Sequence, residues 1–194
     1  MMAGASALSI LTDEKFFGGT SSDLMTARKF NYCPIVRKDF IIDEYQVVET
    51  KSIGADVILL IAAILSPAET RRLAGLARSL GLEVLLEIHS EKELSHLTDE
   101  QFLVGINNRD LKTFDVNIDR SVSLASRLSP GMIMIAESGI NDPGIIIKLK
   151  GLGFHGFLIG EYFMSNSRPE KACDEFIRDL ERLENRVNLQ NERS

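Results

Sequence analysis

The fold is decided by the stretch Ile35-Val36-Arg37-Lys38-Asp39-Phe40-Ile41-Ile42-Asp43, in which a short apolar run ends in adjacent charged residues. An apolar run that stops at charged side chains and leads into an amphipathic segment is typical of a β-strand followed by a helix. Further apolar runs end in the same way, at Leu85-Leu86-Glu87, Gly105-Ile106-Asn107-Asn108-Arg109, Ile135-Ala136-Glu137-Ser138-Gly139 and Phe157-Leu158-Ile159-Gly160-Glu161. Polar groups therefore recur where strands stop.

Short apolar and partly β-branched runs along the chain predict strands. The predicted strands are Ala7 to Leu11, Pro34 to Val36, Val57 to Ala62, Val84 to Ile88, Leu103 to Ile106, Met132 to Ala136 and Gly156 to Ile159. Segments with helical periodicity separate them, and the clearest begins with a capping box formed by Ser66 and Glu69. Ser90 and Glu93 repeat that spacing and predict a second capping box. Left-handed helix caps are expected at Gly54, Gly81 and Gly153.

Apolar strands that alternate with helices are typical of a parallel sheet covered by helices. A doubly wound dinucleotide-binding sheet would need a glycine-rich turn after its first strand, and none follows the run that ends at Leu11. Functional residues after nearly every strand instead favour a barrel, whose strand ends meet at one mouth. We therefore predict an α/β protein of the (β/α)8 TIM-barrel family with seven βα units. It should form one domain over residues 1–184, followed by a polar, frayed tail over 185–194.

Composition and charge narrow the class of protein. The net charge of -6 disfavours a nucleic-acid partner, because binding phosphates needs a basic face. Two cysteines, Cys33 and Cys173, are too few for a disulfide framework, and the reducing cytoplasm is the expected compartment. The longest apolar run, Val57 to Leu65, is far shorter than the ~20 residues that cross a bilayer, so no membrane partner is expected. The histidines show no metal-ligand spacing, and no metal is predicted: His89, His96 and His155.

Two strand ends carry residues suited to proton transfer. Lys38 could act as a general acid or bind an anion, whereas an isolated lysine would more simply be a solvated loop residue. Its neighbours Arg37 and Asp39 are expected to point outward or to form a structural pair. Glu87 suits a general base, because partial burial raises the pKa of a carboxyl group, and the alternative is a salt bridge at the rim. His89 is expected to begin a loop and carries little weight.

Later strand ends carry residues suited to binding. Asn107 and Arg109 alternate and can share one face, where they could hold a substrate oxygen and a carboxylate, while Asn108 faces away. A simple turn at these residues is an equal alternative. Gly139 and Gly160 follow the last two strands, where backbone N–H groups of these barrels bind phosphate. A phosphorylated substrate is therefore expected.

These segments together resemble the indole-3-glycerol-phosphate synthases of tryptophan biosynthesis. The resemblance runs from about Ala3 to Glu184. It is carried by Leu11-Thr12-Asp13-Glu14-Lys15-Phe16-Phe17-Gly18-Gly19, Val36 to Asp43, Leu85-Leu86-Glu87-Ile88-His89, Gly105 to Arg109 and Ala136 to Ile140. The resemblance implies a cytoplasmic barrel enzyme that needs no cofactor. Its substrate would be 1-(2-carboxyphenylamino)-1-deoxyribulose 5-phosphate, whose ring is closed with loss of carbon dioxide and water.

The resemblance also implies roles for individual residues. Lys38 would be the general acid on the ketone oxygen, Glu87 would assist the later dehydration, and Asn107 would complete the catalytic set by positioning the substrate. Phe40 and Leu59 resemble the apolar wall beside the aromatic ring, although core packing explains them equally well. The remaining substrate-binding residues would be Arg109, Glu137 and Ser138. The phosphate would be held by Gly139, Gly160 and Glu161.

One part of the family pattern is missing. The family begins with an extra helix and a first strand that carries Glu-x-Lys followed by Ser-Pro, and no such strand precedes Ala7. The chain is therefore expected to start at the family's second strand and to leave an open sheet edge. The alternative function is a catalytically impaired barrel fragment that binds phosphate ligands or self-associates through that edge. Phosphoribosylanthranilate isomerase and the α subunit of tryptophan synthase fit the motifs poorly.

Overall fold

A computed structural model describes residues 4–98, 103–110 and 115–191. Within these ranges a seven-stranded sheet has its strands in chain order, β1 to β7. The strands are β1 (Leu8–Leu11), β2 (Ile35–Lys38), β3 (Val57–Ile61), β4 (Glu83–Ile88), β5 (Leu103–Asn107), β6 (Ile133–Glu137) and β7 (Phe154–Leu158). Neighbours β1 to β4 pair in parallel, as do β6 and β7.

Helices follow the strands along the chain. They are α1 (Glu14–Phe17), α2 (Ser21–Phe30), α3 (Glu44–Ser52), α4 (Pro67–Ser79), α5 (Asp119–Ala125), α6 (Pro143–Lys150), α7 (Glu161–Met164) and α8 (Pro169–Asn191), with 3-10 helices at Ala62–Ile64 and Glu91–His96. Parallel strands in chain order with intervening helices confirm the (β/α)-barrel family with seven βα units. None of the described helices is both long and apolar enough to cross a membrane.

The predicted strands are all present, with boundaries that differ by a few residues. The difference between predicted and observed bounds that matters most for function is at β2. This strand continues to Lys38 instead of ending at Val36. The glycine spacing of a dinucleotide-binding turn, G-x-G-x-x-G, is present from Gly151 to Gly156. This run leads from the end of α6 into β7. A dinucleotide-binding turn leads from a strand into a helix, so this run lacks the required context.

Two predictions about helix ends fared differently. The capping box of Ser66 and Glu69 is present at the start of α4. The one predicted at Ser90 is wrong, because the 3-10 helix after it has no side-chain cap. The carboxylate of Glu93 instead accepts hydrogen bonds from the backbone N–H of His89 at 2.6 Å and from the Ser90 hydroxyl at 3.0 Å. The left-handed caps are confirmed at Gly54, Gly81 and Gly153.

The C-terminal segment is helical where the structure describes it. Helix α8 runs to Asn191, while 192–194 lie outside the described residues, and the polar tail predicted over 185–194 stays a prediction. Phe176 on α8 contacts the rings of Tyr162 and Phe163 on α7 at centroid distances of 5.4 and 5.6 Å. This apolar contact attaches α8 to the preceding helix.

The chain divides into two compact units. The first consists mainly of residues 5–105 and the second mainly of 106–128 and 133–194. In the first unit, β3 is buried along its whole length, and a core cluster joins Leu24 of α2 to Ile35 of β2. The prediction of a single domain over 1–184 stays a prediction.

A buried ionic network lies in the first unit on the side of β2 that faces α3. Arg37 is 3% exposed, and its guanidinium pairs with Asp39 at 2.9 Å and with Glu49 of α3 at 2.7 Å. It also donates hydrogen bonds to the hydroxyls of Thr12 and Thr50. The expected structural pair of Arg37 and Asp39 is therefore present, and it is buried. Because side chains alternate along a strand, this pairing directs the next residue of β2 to the opposite face.

Replacing Arg37 by methionine should lower the free energy of unfolding by about 3 kcal/mol or more, because Asp39 would remain as an unpaired buried charge. Urea denaturation followed by circular dichroism measures the change. The matched control is Arg72→Met, which removes the more exposed ion pair between Arg72 and Glu44 and should cost less than about 1 kcal/mol. Similar losses in the two variants would contradict the prediction.

Candidate active site

Lys38 and Glu87 meet at the ends of β2 and β4 in the first unit. The Lys38 Nζ atom lies 3.1 Å from Glu87 Oε2. The Glu87 side chain is 2% exposed and that of Lys38 is 28% exposed, so the ammonium group remains accessible while the carboxylate is shielded from water. Such a pair can give and take protons at one place, because a proton donor and a potential acceptor are within hydrogen-bonding distance.

His89 lies on the other side of the Glu87 carboxylate. Its Nε2 atom is 3.2 Å from Glu87 Oε1, and its Nδ1 atom is 3.6 Å from Glu93 Oε2. Burial by itself lowers the pKa of His89, but the two carboxylates outweigh it and raise that pKa to about 9. His89 is the first residue after β4 and begins a loop, as expected, yet its side chain contacts Glu87. The signal available in the sequence was its position two residues after Glu87.

An aromatic group lies beside the end of β2. The ring of Phe40 stacks on Phe17 at a centroid distance of 5.5 Å and meets Phe16 edge-on at 5.6 Å. Phe16 is 65% exposed and Phe17 is 48% exposed, so this group offers an open apolar surface. The short helix α1 that carries them requires Gly19, because a Cβ atom there would lie 2.2 Å from the Leu11 carbonyl oxygen. The sequence pattern predicts no role for Phe16 or Phe17.

Leu59, the other predicted member of an apolar wall, is placed differently from Phe40. It lies within β3 and is only 1% exposed. Core packing is therefore enough to explain why Leu59 is apolar, whereas Phe40 is only half-buried. The assignment of Leu59 to a substrate wall stays a prediction.

In the second unit, Asn107 and Arg109 are joined at the end of β5. The side-chain oxygen of Asn107 accepts a hydrogen bond from the backbone N–H of Arg109 at 2.9 Å. The guanidinium of Arg109 forms an ion pair with Glu161 at the start of α7. Arg109 therefore contacts both Asn107 and Glu161, two residues that were predicted to bind other parts of the substrate.

Asn108 has a structural role between these two residues. It is fully buried, and its amide donates hydrogen bonds to the backbone carbonyls of Glu137 and Ser138, each at 3.1 Å. Its oxygen accepts a hydrogen bond from the Ser121 hydroxyl at 2.7 Å. Asn108 therefore fixes the backbone where β6 ends.

The backbone after β6 adopts an uncommon conformation. Ser138 has φ +64° and is the only non-glycine residue with positive φ in the part of the chain that the structure describes. Gly139 follows with φ +75°, and a Cβ atom there would lie 2.2 Å from Val116 Cγ1. Backbone held in such sparsely populated conformations clusters at active sites and ligand-binding turns. A Cβ atom at Gly160 would meet nothing within 4 Å, so its backbone is accessible but does not require glycine for space.

The family model and the relatives that match this chain carry the same description. The family model described as indole-3-glycerol phosphate synthase matches residues 1–176. An indole-3-glycerol phosphate synthase of Bacteroides thetaiotaomicron is 50% identical over 93% of this chain and 70% of its own length. The corresponding proteins of Magnetococcus marinus and Acinetobacter baylyi are each 43% identical over 90% of this chain, and over 65% and 66% of their own lengths. The chain thus spans about two thirds of the length of these relatives.

Solved structures with similar folds are more distant in sequence. The 3-hexulose-6-phosphate synthase of Salmonella typhimurium has a TM-score of 0.73 at 11% identity, covering 90% of this chain and 86% of its own. A mutant tryptophan synthase alpha-subunit of Pyrococcus furiosus has a TM-score of 0.66 at 14% identity, covering 90% and 84%. At these identities the likeness concerns the fold alone.

Proposed function

Because the chain belongs to the indole-3-glycerol phosphate synthase family, we propose that it converts 1-(2-carboxyphenylamino)-1-deoxyribulose 5-phosphate to indole-3-glycerol phosphate. In this proposal the chain is a lyase of tryptophan biosynthesis that acts in the cytoplasm. The observation that carries the proposal is the close pair of Lys38 and Glu87 at two strand ends of the first unit. These are the residues to which the family resemblance assigns the proton transfers.

In the first step, Lys38 donates a proton to the ketone oxygen of the substrate. The ring carbon that bears the carboxylate attacks the ketone carbon, and the new carbon–carbon bond closes the five-membered ring. Carbon dioxide then leaves, and the electrons of the broken bond restore the aromatic ring. Protonation of the oxygen lowers the barrier because a neutral hydroxyl forms in place of an alkoxide.

In the second step, the ring hydroxyl leaves as water and the neighbouring carbon loses a proton. The hydroxyl gains one proton and the carbon gives one up, so the step needs a group that can carry a proton. Glu87 is that group in this proposal, since its carboxylate is held beside Lys38. The exposed faces of Phe16 and Phe17 beside Phe40 supply apolar surface for the substrate's aromatic ring, and Leu59, which is buried in β3, would add to this apolar wall.

Residues of the second unit would bind the rest of the substrate. Asn107 would position the reacting centre, and Arg109 would contact the anthranilate carboxylate in exchange for part of its pairing with Glu161. Glu137 and Ser138 would hold substrate hydroxyl groups. Left-handed backbone at Ser138 and Gly139 supports a role for this turn in binding. The phosphate would be held by the backbone of Gly139, Gly160 and Glu161.

The test is direct turnover by the purified chain. We expect the fluorescence of indole-3-glycerol phosphate to rise on addition of the carboxyphenylamino-deoxyribulose phosphate, with release of one carbon dioxide per product. A sample that unfolds cooperatively but forms no product would overturn the proposal for this chain. Retained substrate binding by calorimetry would then favour the alternative of a phosphate-binding fragment, and a concentration-dependent mass by light scattering would favour self-association through the sheet edge.

A further inference from the structure

Charges of alternating sign form a line through the first unit. The line runs from Lys38 through Glu87 and His89 to Glu93, with contacts of 3.1, 3.2 and 3.6 Å. The inner two side chains are 2% and 8% exposed, and that of Glu93 is 16% exposed. Each oxygen of Glu87 thus has its own cationic neighbour, Lys38 on Oε2 and His89 on Oε1.

Glu93 is itself held in place. One of its oxygens accepts the hydrogen bond from the His89 backbone N–H, and the other accepts one from the Ser90 hydroxyl. Burial opposes ionisation of Glu93, but hydrogen bonds and the charge of His89 outweigh burial and lower the pKa of Glu93. Glu93 is therefore an anion at neutral pH and His89 a cation, which makes the four charges cancel.

His96 is the other titratable group near Glu93. It lies on the same 3-10 helix, is buried, and shares a hydrogen bond of 2.8 Å with the Thr70 hydroxyl of α4. Burial lowers the pKa of His96, so it is neutral at pH 7 and adds no charge to the line.

The proposed first step would disturb this balance. When Lys38 gives its proton to the substrate it becomes neutral, and Glu87 loses the cation on Oε2. A buried carboxylate without a counter-charge is unfavourable by several kcal/mol. That penalty would oppose proton donation by Lys38, unless a second cation remained in contact with Glu87.

We propose that His89 is this second cation, a positioning residue that keeps Glu87 ionised and oriented while Lys38 donates its proton, with Glu93 anchoring His89. The inference rests on the proposed function. Neither the sequence pattern nor the family resemblance implies a role for His89. His89 acts through Glu87 and does not contact the substrate.

The kinetic test compares His89→Gln and Glu93→Gln with the wild-type chain across a pH series. We expect kcat to fall about tenfold to a hundredfold in His89→Gln, while KM changes less than about threefold, because the loss falls on proton transfer. The acidic limb of the kcat profile should move to higher pH by about one unit, since Glu87 loses a neighbouring cation. Glu93→Gln should shift the limb in the same direction by a smaller amount. The control His155→Gln changes an exposed histidine of β7 and should leave both kcat and the profile unchanged.

A lower kcat with an unmoved acidic limb would overturn the inference, because a purely structural role has that signature. A second measurement does not need turnover. NMR titration of the labelled imidazoles should give His89 a midpoint near 9, falling in both Glu87→Gln and Glu93→Gln. A midpoint near the ordinary histidine value of about 6.5 would overturn the inference even if the enzyme is active. A high, carboxylate-dependent midpoint in an inactive chain would leave the charge arrangement intact and locate the failure in the proposed function.

Discussion

Replacing Lys38 by methionine is expected to lower kcat for indole-3-glycerol phosphate formation by about a thousandfold, because the ketone oxygen loses its proton donor. The fold should persist, since His89 still neutralises the buried Glu87 carboxylate at 3.2 Å. Steady-state fluorescence assays measure the loss of turnover, and circular dichroism at matched concentration checks the fold.

A variant that retains the charge separates proton donation from simple electrostatics. Lys38→Arg keeps a cation beside Glu87, but a guanidinium group does not give up its proton at neutral pH. We therefore expect Lys38→Arg to be nearly as slow as Lys38→Met. The control Lys51→Met removes an exposed lysine of α3 whose Nζ donates to the Gly81 carbonyl, and it should retain full activity. Activity of Lys38→Arg within tenfold of wild type would show that charge alone suffices.

Replacing Glu87 by glutamine should slow product formation by about a hundredfold or more and separate the two chemical steps. A glutamine side chain has nearly the same size but cannot carry the proton needed for dehydration. We expect carbon dioxide to be released faster than indole fluorescence appears, because the ring-closed, decarboxylated intermediate would accumulate. Rapid quench with labelled carboxylate measures the first step, and stopped-flow fluorescence measures the second.

The matched control for this variant lies on the same strand. Glu83→Gln changes an exposed carboxylate at the start of β4, away from the strand end that carries Glu87. It should leave both carbon dioxide release and fluorescence unchanged. Equal slowing of the two signals in Glu87→Gln would mean that Glu87 acts before or during decarboxylation, contrary to the assignment.

Much of the fold was predictable because its signals are local. Apolar runs marked the positions of all seven strands, and the Ser66 capping box marked the start of α4. The prediction failed at Ser90, where the spacing of a capping box is present but the capping geometry is not. The carboxylate of Glu93 accepts hydrogen bonds from the backbone N–H of His89 and from the Ser90 hydroxyl. The polar residues after Glu184 predicted a tail that does not pack, and the backbone of α8 continues through them to Asn191.

The sequence by itself determined the alternation of strands and helices and the presence of Lys38 and Glu87 at strand ends, since hydrophobic periodicity and chain order need only neighbouring residues. Tertiary structure alone decided which charges meet: Lys38 with Glu87 across 49 positions, and Arg109 with Glu161 across 52. It also turned Arg37 into a buried structural cation. The physical reason is that the energy of an ionic contact depends on distance and burial, and both are set only when separate strands pair and pack.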